Sequence, residues 1–343
     1  MEKEENLQKK QLFLKILCFL ILGLTLFTIG LSFIGKFFDV AIGDEVKSFT
    51  LASLLTDNLL SGRLKALFWI TYIVLPILGA SSIFLYRVNK NFAFGAMILF
   101  LFAAIVSLVS KDILPEALYQ HIKVTQGINI PCSIEKVYVC SVVPTVSYFI
   151  LAILVLSFAI EDIKFSTRDI AESGVLIAAA LVLNFIRLFP APTGGSVNLQ
   201  MLPLFVLAIR KGPVKAFIGC GIVYGLISCL TDGYGLATYP FDYLLGIGST
   251  AILGLFSKYI LREDSSTYNF KGELFIFIGV VLATSMRFVA GTISSMVLYD
   301  YAFAPAALYN VGYVFISGAI SMVVVMGLYG PLLQISKRFP NNK

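Results

Sequence analysis

The stretch PAPTGGSVNLQMLPLFVLAIRKGP, residues 190–213, runs from a turn through a polar-flecked strip into an apolar segment that ends on two bases and a glycine. Asn198 and Gln200 stand just inside a segment that closes on Arg210 and Lys211. Composition says what the apolar residues face. Of 343 residues, 58% are hydrophobic and 13% charged, with a mean hydropathy of +0.88. Soluble domains carry about 25% charged residues, and one water-facing core cannot hide this much apolar surface. The chain is therefore expected to sit in a lipid bilayer.

A helix crossing the hydrocarbon needs about 20 mostly apolar residues. Such runs lie at 12–35, 65–86, 91–110 and 139–160, and again at 170–189, 197–210, 213–231, 239–261, 272–298 and 305–334. The run at 197–210 is too short to span unless neighbours or a thinned bilayer help it. These counts predict an all-α membrane protein of about ten transmembrane helices. The first run is too long for a signal-peptide core and has no small-residue cleavage site after it, so it reads as a retained helix.

Cytoplasmic loops carry the excess of Lys and Arg. With the N-terminus inside, sixteen fall on the cytoplasmic side and seven outside, while Lys15, Arg187 and Arg287 lie in or near the spans. A multi-pass protein of the cell membrane with both termini cytoplasmic is expected. The net charge of +6 is then mostly a topology signal and requires no nucleic acid. Cys18, Cys220 and Cys229 lie in apolar spans, whereas Cys132 and Cys140 share a polar loop and are either bonded or free, depending on the compartment. A single histidine, His121, excludes a His-rich metal site. No cofactor is implied. The spans contain no Ser/His, paired-Asp or metal-ligand set, so an enzyme is not expected.

EDIKFSTRDIAES, residues 161–173, is the longest polar stretch in the middle and divides the chain. Residues 1–165 read as a four-helix membrane unit, and 166–343 as a six-helix unit. In the first, FTLASLLTDNLLSGRL (49–64) has apolar residues at helical spacing and suggests a helix lying on the membrane surface, and 111–138 reads as a polar loop. In the second, Asn184, Arg187, Asn198, Gln200, Tyr239, Asp242, Tyr243 and Arg287 all fall toward the external ends of spans. Charge within a span is costly and marks either function or a buried pair. Asp242 reads as a ligand carboxylate or a partly hydrated lip residue, Arg287 as a ligand contact or the ion-pair partner of Asp242. Tyrosines with a carboxylate are a means of holding an organic cation. The chain has no GxxxxGK[ST] and so no ATP-driven motor of its own.

ESGVLIAAALVLNFIRLFPAPTGGSVNLQMLPLFVLAIRKGPVKAFIGCGIVYGLI, followed by YPFDYLLGIGSTAILGLF, resembles the S components of energy-coupling factor (ECF) vitamin transporters, most closely the thiamine-specific ones. The resemblance covers about 172–335. It implies a subunit that captures a vitamin from outside and delivers it with a T component and two ATPase subunits. It also implies that Asp242 and Tyr243 take the place of the family's acidic residue and tyrosine, and that Tyr309 matches its sixth-helix tyrosine. The family's next asparagine falls on Val314, leaving Asn310 and Tyr313 as substitutes. No fifth-helix histidine is present; Arg287 or Gly291 takes that position, depending on register. The family's tryptophans are absent as well, Gly194 and Ser295 standing near those positions and Trp69 being the only one in the chain. Gly174, Ala178 and Ala179 form a small-residue surface, which in the family meets the T component and otherwise packs within its own unit. The departures leave open another vitamin, a phosphorylated thiamine, or a membrane scaffold whose degenerate pocket is closed by an Asp242–Arg287 pair.

Overall fold

The computed structural model describes residues 2–87, 91–161, 163–190, 195–261, 268–299 and 301–340; Lys90, Gly194, Arg262 and Lys343, used in the sequence reading, lie outside the described residues. The chain separates into two units, Met1–Asp162 and Ile163–Lys343.

The first unit runs α1 (Glu2–Ser32), β1 (Lys36–Ile42), β2 (Glu45–Thr50), α2 (Leu51–Thr56), α3 (Gly62–Phe84), α4 (Asn91–Gln126), β3 (Cys132–Val137) and α5 (Val139–Glu161). The three strands form an antiparallel sheet in the order β2-β1-β3, an addition to the helical architecture expected from sequence. Gly43, at φ +63°, permits the reversal that pairs Ile42 with Glu45 and Val40 with Lys47. On the sheet, Asp39 accepts hydrogen bonds from Ser48 Oγ at 2.6 Å and Tyr138 Oη at 2.5 Å, which hold its carboxyl below the usual range.

Two sequence expectations fail here. Leu51, Leu54, Leu55, Leu60 and Leu64 turn inward onto Phe37, Phe38, Val40 and Phe49, so the apolar face of 49–64 covers the sheet instead of lying on lipid. Residues 111–126 are helical, because α4 runs 36 residues. At 1.5 Å per residue it is about 54 Å long, well beyond a hydrocarbon core of about 30 Å. Its far end brings Leu114 and Leu118 into the core beneath the sheet. Cys132 and Cys140 are free thiols, and Trp69 on α3 is 45% exposed.

The second unit runs α6 (Thr167–Phe185), β4 (Phe189–Pro190), β5 (Ser196–Val197), α7 (Met201–Lys211), α8 (Pro213–Asp232), α9 (Leu236–Ile260), α10 (Phe270–Leu298), α11 (Phe303–Gly327) and α12 (Tyr329–Arg338). Across both units, eight helices among the described residues are long and apolar enough to cross a membrane. The other two of the expected ten are α6, with Arg168, Asp169 and Glu172 in its opening turns, and α7, only 11 residues long. The chain is a multi-pass helical membrane protein.

Helix α7 is buried on nearly every side and packs among α6, α9 and α11. Its neighbours depart from α geometry, with π-helical segments at Ile218–Tyr224 in α8 and Tyr239–Ile247 in α9. Glycine makes their crossing possible. A Cβ on Gly248 would stand 2.9 Å from the Phe217 ring and 3.2 Å from Gly221 Cα.

Two bases closing an apolar segment read as an anchor at the cytoplasmic headgroups, but the basic end of α7 is turned inward onto acidic side chains of α6. Arg210 and Lys211 have side chains 1% and 2% exposed. Arg210 grips Glu172 through Nε at 2.6 Å and Nη2 at 3.2 Å. Lys211 bridges Glu172 at 2.5 Å and Asp169 at 2.9 Å, and Lys215 meets Asp169 at 2.7 Å. Asp169 also closes a capping box with Ser166 at the start of α6. Burial alone would raise the Asp169 carboxyl, but the two ammonium groups outweigh it and hold it well below the usual range. On the same helix Gly174 and Ala178 are exposed and Ala179 is half-buried, and nothing lies within 4 Å of where a Gly174 Cβ would stand.

Candidate functional site

A cavity of about 140 Å³ opens in the second unit among the hairpin strand β5, the C-terminal ends of α6 and α8, and helices α9, α10 and α11. One water needs about 10–15 Å³ of such space, so the cavity has room for a small organic molecule.

One wall is a relay of amides. Asn198 Nδ2 donates to Asn184 Oδ1 at 3.0 Å, and Asn184 Nδ2 donates to Asp232 Oδ1 at 3.2 Å. The backbone of Asn198 is fixed by donating to Ser317 Oγ at 3.3 Å. Gln200 accepts from the Tyr224 hydroxyl. Both amides precede α7 instead of riding on its first turn, so the hairpin and not the helix sets their direction.

Asp232 ends α8, and Gly233 at φ +78° turns the chain immediately afterwards. Its Oδ2 accepts from Ser228 Oγ and Tyr243 Oη, both at 3.0 Å, which with Asn184 gives it three donors. Asp242 stands near the start of α9 and accepts from Ser294 Oγ at 2.8 Å. Helix α10 presents Arg287, Gly291, Ser294 and Ser295 to the cavity, an i, i+4, i+7, i+8 face. Arg287 Nη1 is buried without a hydrogen-bond partner, and no ion pair joins it to Asp242 among the described residues.

The remaining wall is aromatic. Tyr309 and Tyr313 sit one turn apart on α11 with ring centroids 5.3 Å apart, and Tyr301 meets Tyr309 edge-on at 6.4 Å. Tyr309 Oη accepts from Gly195 N at 2.6 Å. Tyr313 donates to Asn310 Oδ1 at 2.8 Å. A Cβ on Gly195 would stand 2.7 Å from the Tyr313 ring and 2.8 Å from Tyr309 Oη, so this loop reaches the tyrosines only as glycine. Rings and carboxylates in one cavity can hold an organic cation by cation–π and Coulomb attraction.

Of the residues singled out in the sequence, Asp242, Tyr243, Asn198, Arg287 and Tyr309 line this cavity. Asn310 and Tyr239 do not. Asn310 is 0% exposed and stands behind the wall, where its Nδ2 donates to Ser295 Oγ at 2.9 Å while its oxygen fixes Tyr313. Tyr239 points away and donates to the Gly221 carbonyl at 3.2 Å. Asp232, Ser294, Tyr234, Tyr299 and Tyr301 line the cavity without having been singled out. The α10 face was readable as a helical stripe through Arg287, whereas Asp232 sits at a helix end and resembles an ordinary capping residue in the sequence. Among the described residues no cluster of His, Cys, Asp and Glu could hold a metal ion.

Residues 170–338 match the family described as thiamine transporter protein. Thiamine transporter ThiT of Bacillus subtilis (strain 168) is 28% identical over 174 residues, 46% of this chain and 88% of the relative. Thiamine transporter ThiT of Lacticaseibacillus paracasei is 25% identical over 177 residues, 46% of this chain and 84% of the relative. A solved structure of ThiT from Listeria monocytogenes aligns with a TM-score of 0.42 and 24% identity, over 50% of this chain and 95% of that one. The resemblance to the thiamine-specific family read from the sequence holds over residues 170–338, which lie within the second unit.

Proposed function

Starting from a C-terminal unit that is similar to thiamine transporters, we propose that the protein is the substrate-binding membrane subunit of an ECF-type importer. It takes a water-soluble vitamin, thiamine first among them, from outside the cell and delivers it with a T component and two ATPase subunits. Both termini lie in the cytoplasm, and the cavity faces outward. The observation that carries this reading is the cavity itself, which sets carboxylates and tyrosines around a space of small-molecule size within the stretch that matches the family.

Thiamine has a fixed positive charge. Asp242 supplies the countercharge, and Tyr309 and Tyr313 supply aromatic faces, each such contact contributing about 0.5–2 kcal/mol. Gly174 and Ala178, small and uncovered on α6, offer a close approach to a helix of the T component. A pocket closed by an Asp242–Arg287 ion pair would favour the scaffold reading, and among the described residues no such pair is formed.

The test is calorimetric titration of thiamine into the purified chain. Thiamine should bind, and Asp242→Asn should weaken it by roughly 10- to 100-fold, the scale of one charge-assisted contact. Wild-type affinity in that variant removes Asp242 from the site. Recovery of a T component and an ATPase pair with the tagged chain from its own membranes tests the partners.

A further inference from the structure

Helix α8 ends on a carboxylate that its own field opposes. Asp232 is the last residue of the helix, and the final turn holds no basic residue. The free carbonyls of a helix C-terminus sum to roughly half a negative charge, which favours Lys, Arg or His there and disfavours Asp. Helix α6 also closes at this wall, with Asn184 on the cavity and no base in its last turn. Two helix ends and a carboxylate therefore lay negative potential along one side of the same space.

Asp232 has no ion-pair partner among the described residues. Its three hydrogen-bond donors, Asn184 at 3.2 Å and Ser228 and Tyr243 at 3.0 Å, are all neutral. They fill three of the roughly four acceptor positions of a carboxylate and orient it without cancelling its charge. With Asp242 and Arg287, the cavity lining carries two carboxylates against one guanidinium, a formal excess of one negative charge. Local preference and residue choice conflict in this way where a site needs the charge. A ligand with one fixed positive charge restores the balance, and a neutral ligand does not.

Resting on the vitamin-capture reading, we propose that Asp232 is a second countercharge for the cationic ligand and, with Asp242, makes the cavity select a cation over a neutral molecule of the same shape. Its charge acts on the ligand across the cavity, while its hydrogen bonds hold Asn184 and Tyr243 in the wall.

Calorimetry on the full chain in lipid nanodiscs tests this, with thiamine and deazathiamine as probes; in the second, a thiophene carbon replaces the charged ring nitrogen and the shape is kept. Thiamine should bind at least tenfold more tightly, and Asp232→Asn should narrow that preference by about tenfold. Asp232→Glu, which keeps the charge, should retain the preference even where both affinities fall. A wild-type chain that binds both probes equally overturns the inference and leaves vitamin capture standing. So does an Asp232→Asn variant that keeps the full preference, whether affinity is unchanged or falls equally for both probes, since Asp232 then only holds the wall. Binding of neither probe overturns both readings. If Asp232→Asn does not purify as a monodisperse protein, the wild-type preference and Asp232→Glu carry the decision, and a preference lost with the charge still present overturns the inference.

Discussion

Replacing Glu172 by glutamine tests whether the basic end of α7 is held inside the protein. The substitution keeps the side-chain shape and removes the charge that Arg210 meets at 2.6 Å and Lys211 at 2.5 Å. Breaking a fully buried pair by removing one partner costs about 3–5 kcal/mol. Glu172 is 23% exposed and Lys211 retains Asp169 at 2.9 Å, so about 2–3 kcal/mol is expected here. At about 2–4 °C per kcal/mol for a unit of this size, the melting temperature should fall by roughly 4–12 °C. The assay is thermal unfolding of the purified protein in detergent at neutral pH, followed by circular dichroism. Arg210→Met and the double variant should be measured beside it. The double variant should lose less than the two single losses together, because removing both partners leaves no buried charge uncompensated. The loss should also persist in about 1 M salt, which screens exposed pairs but not buried ones. A loss below about 0.5 kcal/mol, or one that disappears in salt, would mean that these bases face water or headgroups after all, and the packing of α6 on α7 would need another explanation.

Two further substitutions separate the cavity wall from its surroundings. Gly195→Ala should weaken thiamine binding and lower stability by about 1–3 kcal/mol, since its methyl group must displace the Tyr309 and Tyr313 rings; parallel titration and melting check this, and full retention of both contradicts the close approach. Tyr239→Phe should cost about 0.5–1.5 kcal/mol of stability through loss of the bond to Gly221 while leaving ligand affinity at the wild-type level, so a variant with weakened binding would bring Tyr239 back into the site.

Membrane character, the division near residue 165 and the polar clustering of the second half were all legible because they rest on composition and on local spacing. Arg287, Gly291, Ser294 and Ser295 share a face by helical periodicity alone, and Asp242 announces itself as a charge within a span. Other features depend on pairings between distant segments. Arg210 and Lys211 looked like headgroup anchors because Glu172 and Asp169, which neutralise them, lie 38 and 42 residues away. The sheet was hidden for a similar reason. Gly43-Asp44 between Ile42 and Glu45 is a hairpin signal, but β3 joins β1 from across three helices, and a surface helix accounts equally well for the leucines of 49–64 when the sheet beneath them is unknown. Asn310 was singled out as a substitute for the family's asparagine, yet only packing tells a wall residue from the one that holds it.

The placement of the lone tryptophan has an optical consequence. Trp69 belongs to α3 of the first unit, so the second unit is a tyrosine-only chromophore. Excitation chosen to select indole reports on the first unit alone, while emission from phenol rings includes the cluster around the cavity. A single tryptophan substituted for Tyr299, with Trp69 replaced by phenylalanine, would move the indole band to the cavity, so that the natural chain and this variant together follow the two units, one each, by the same indole emission.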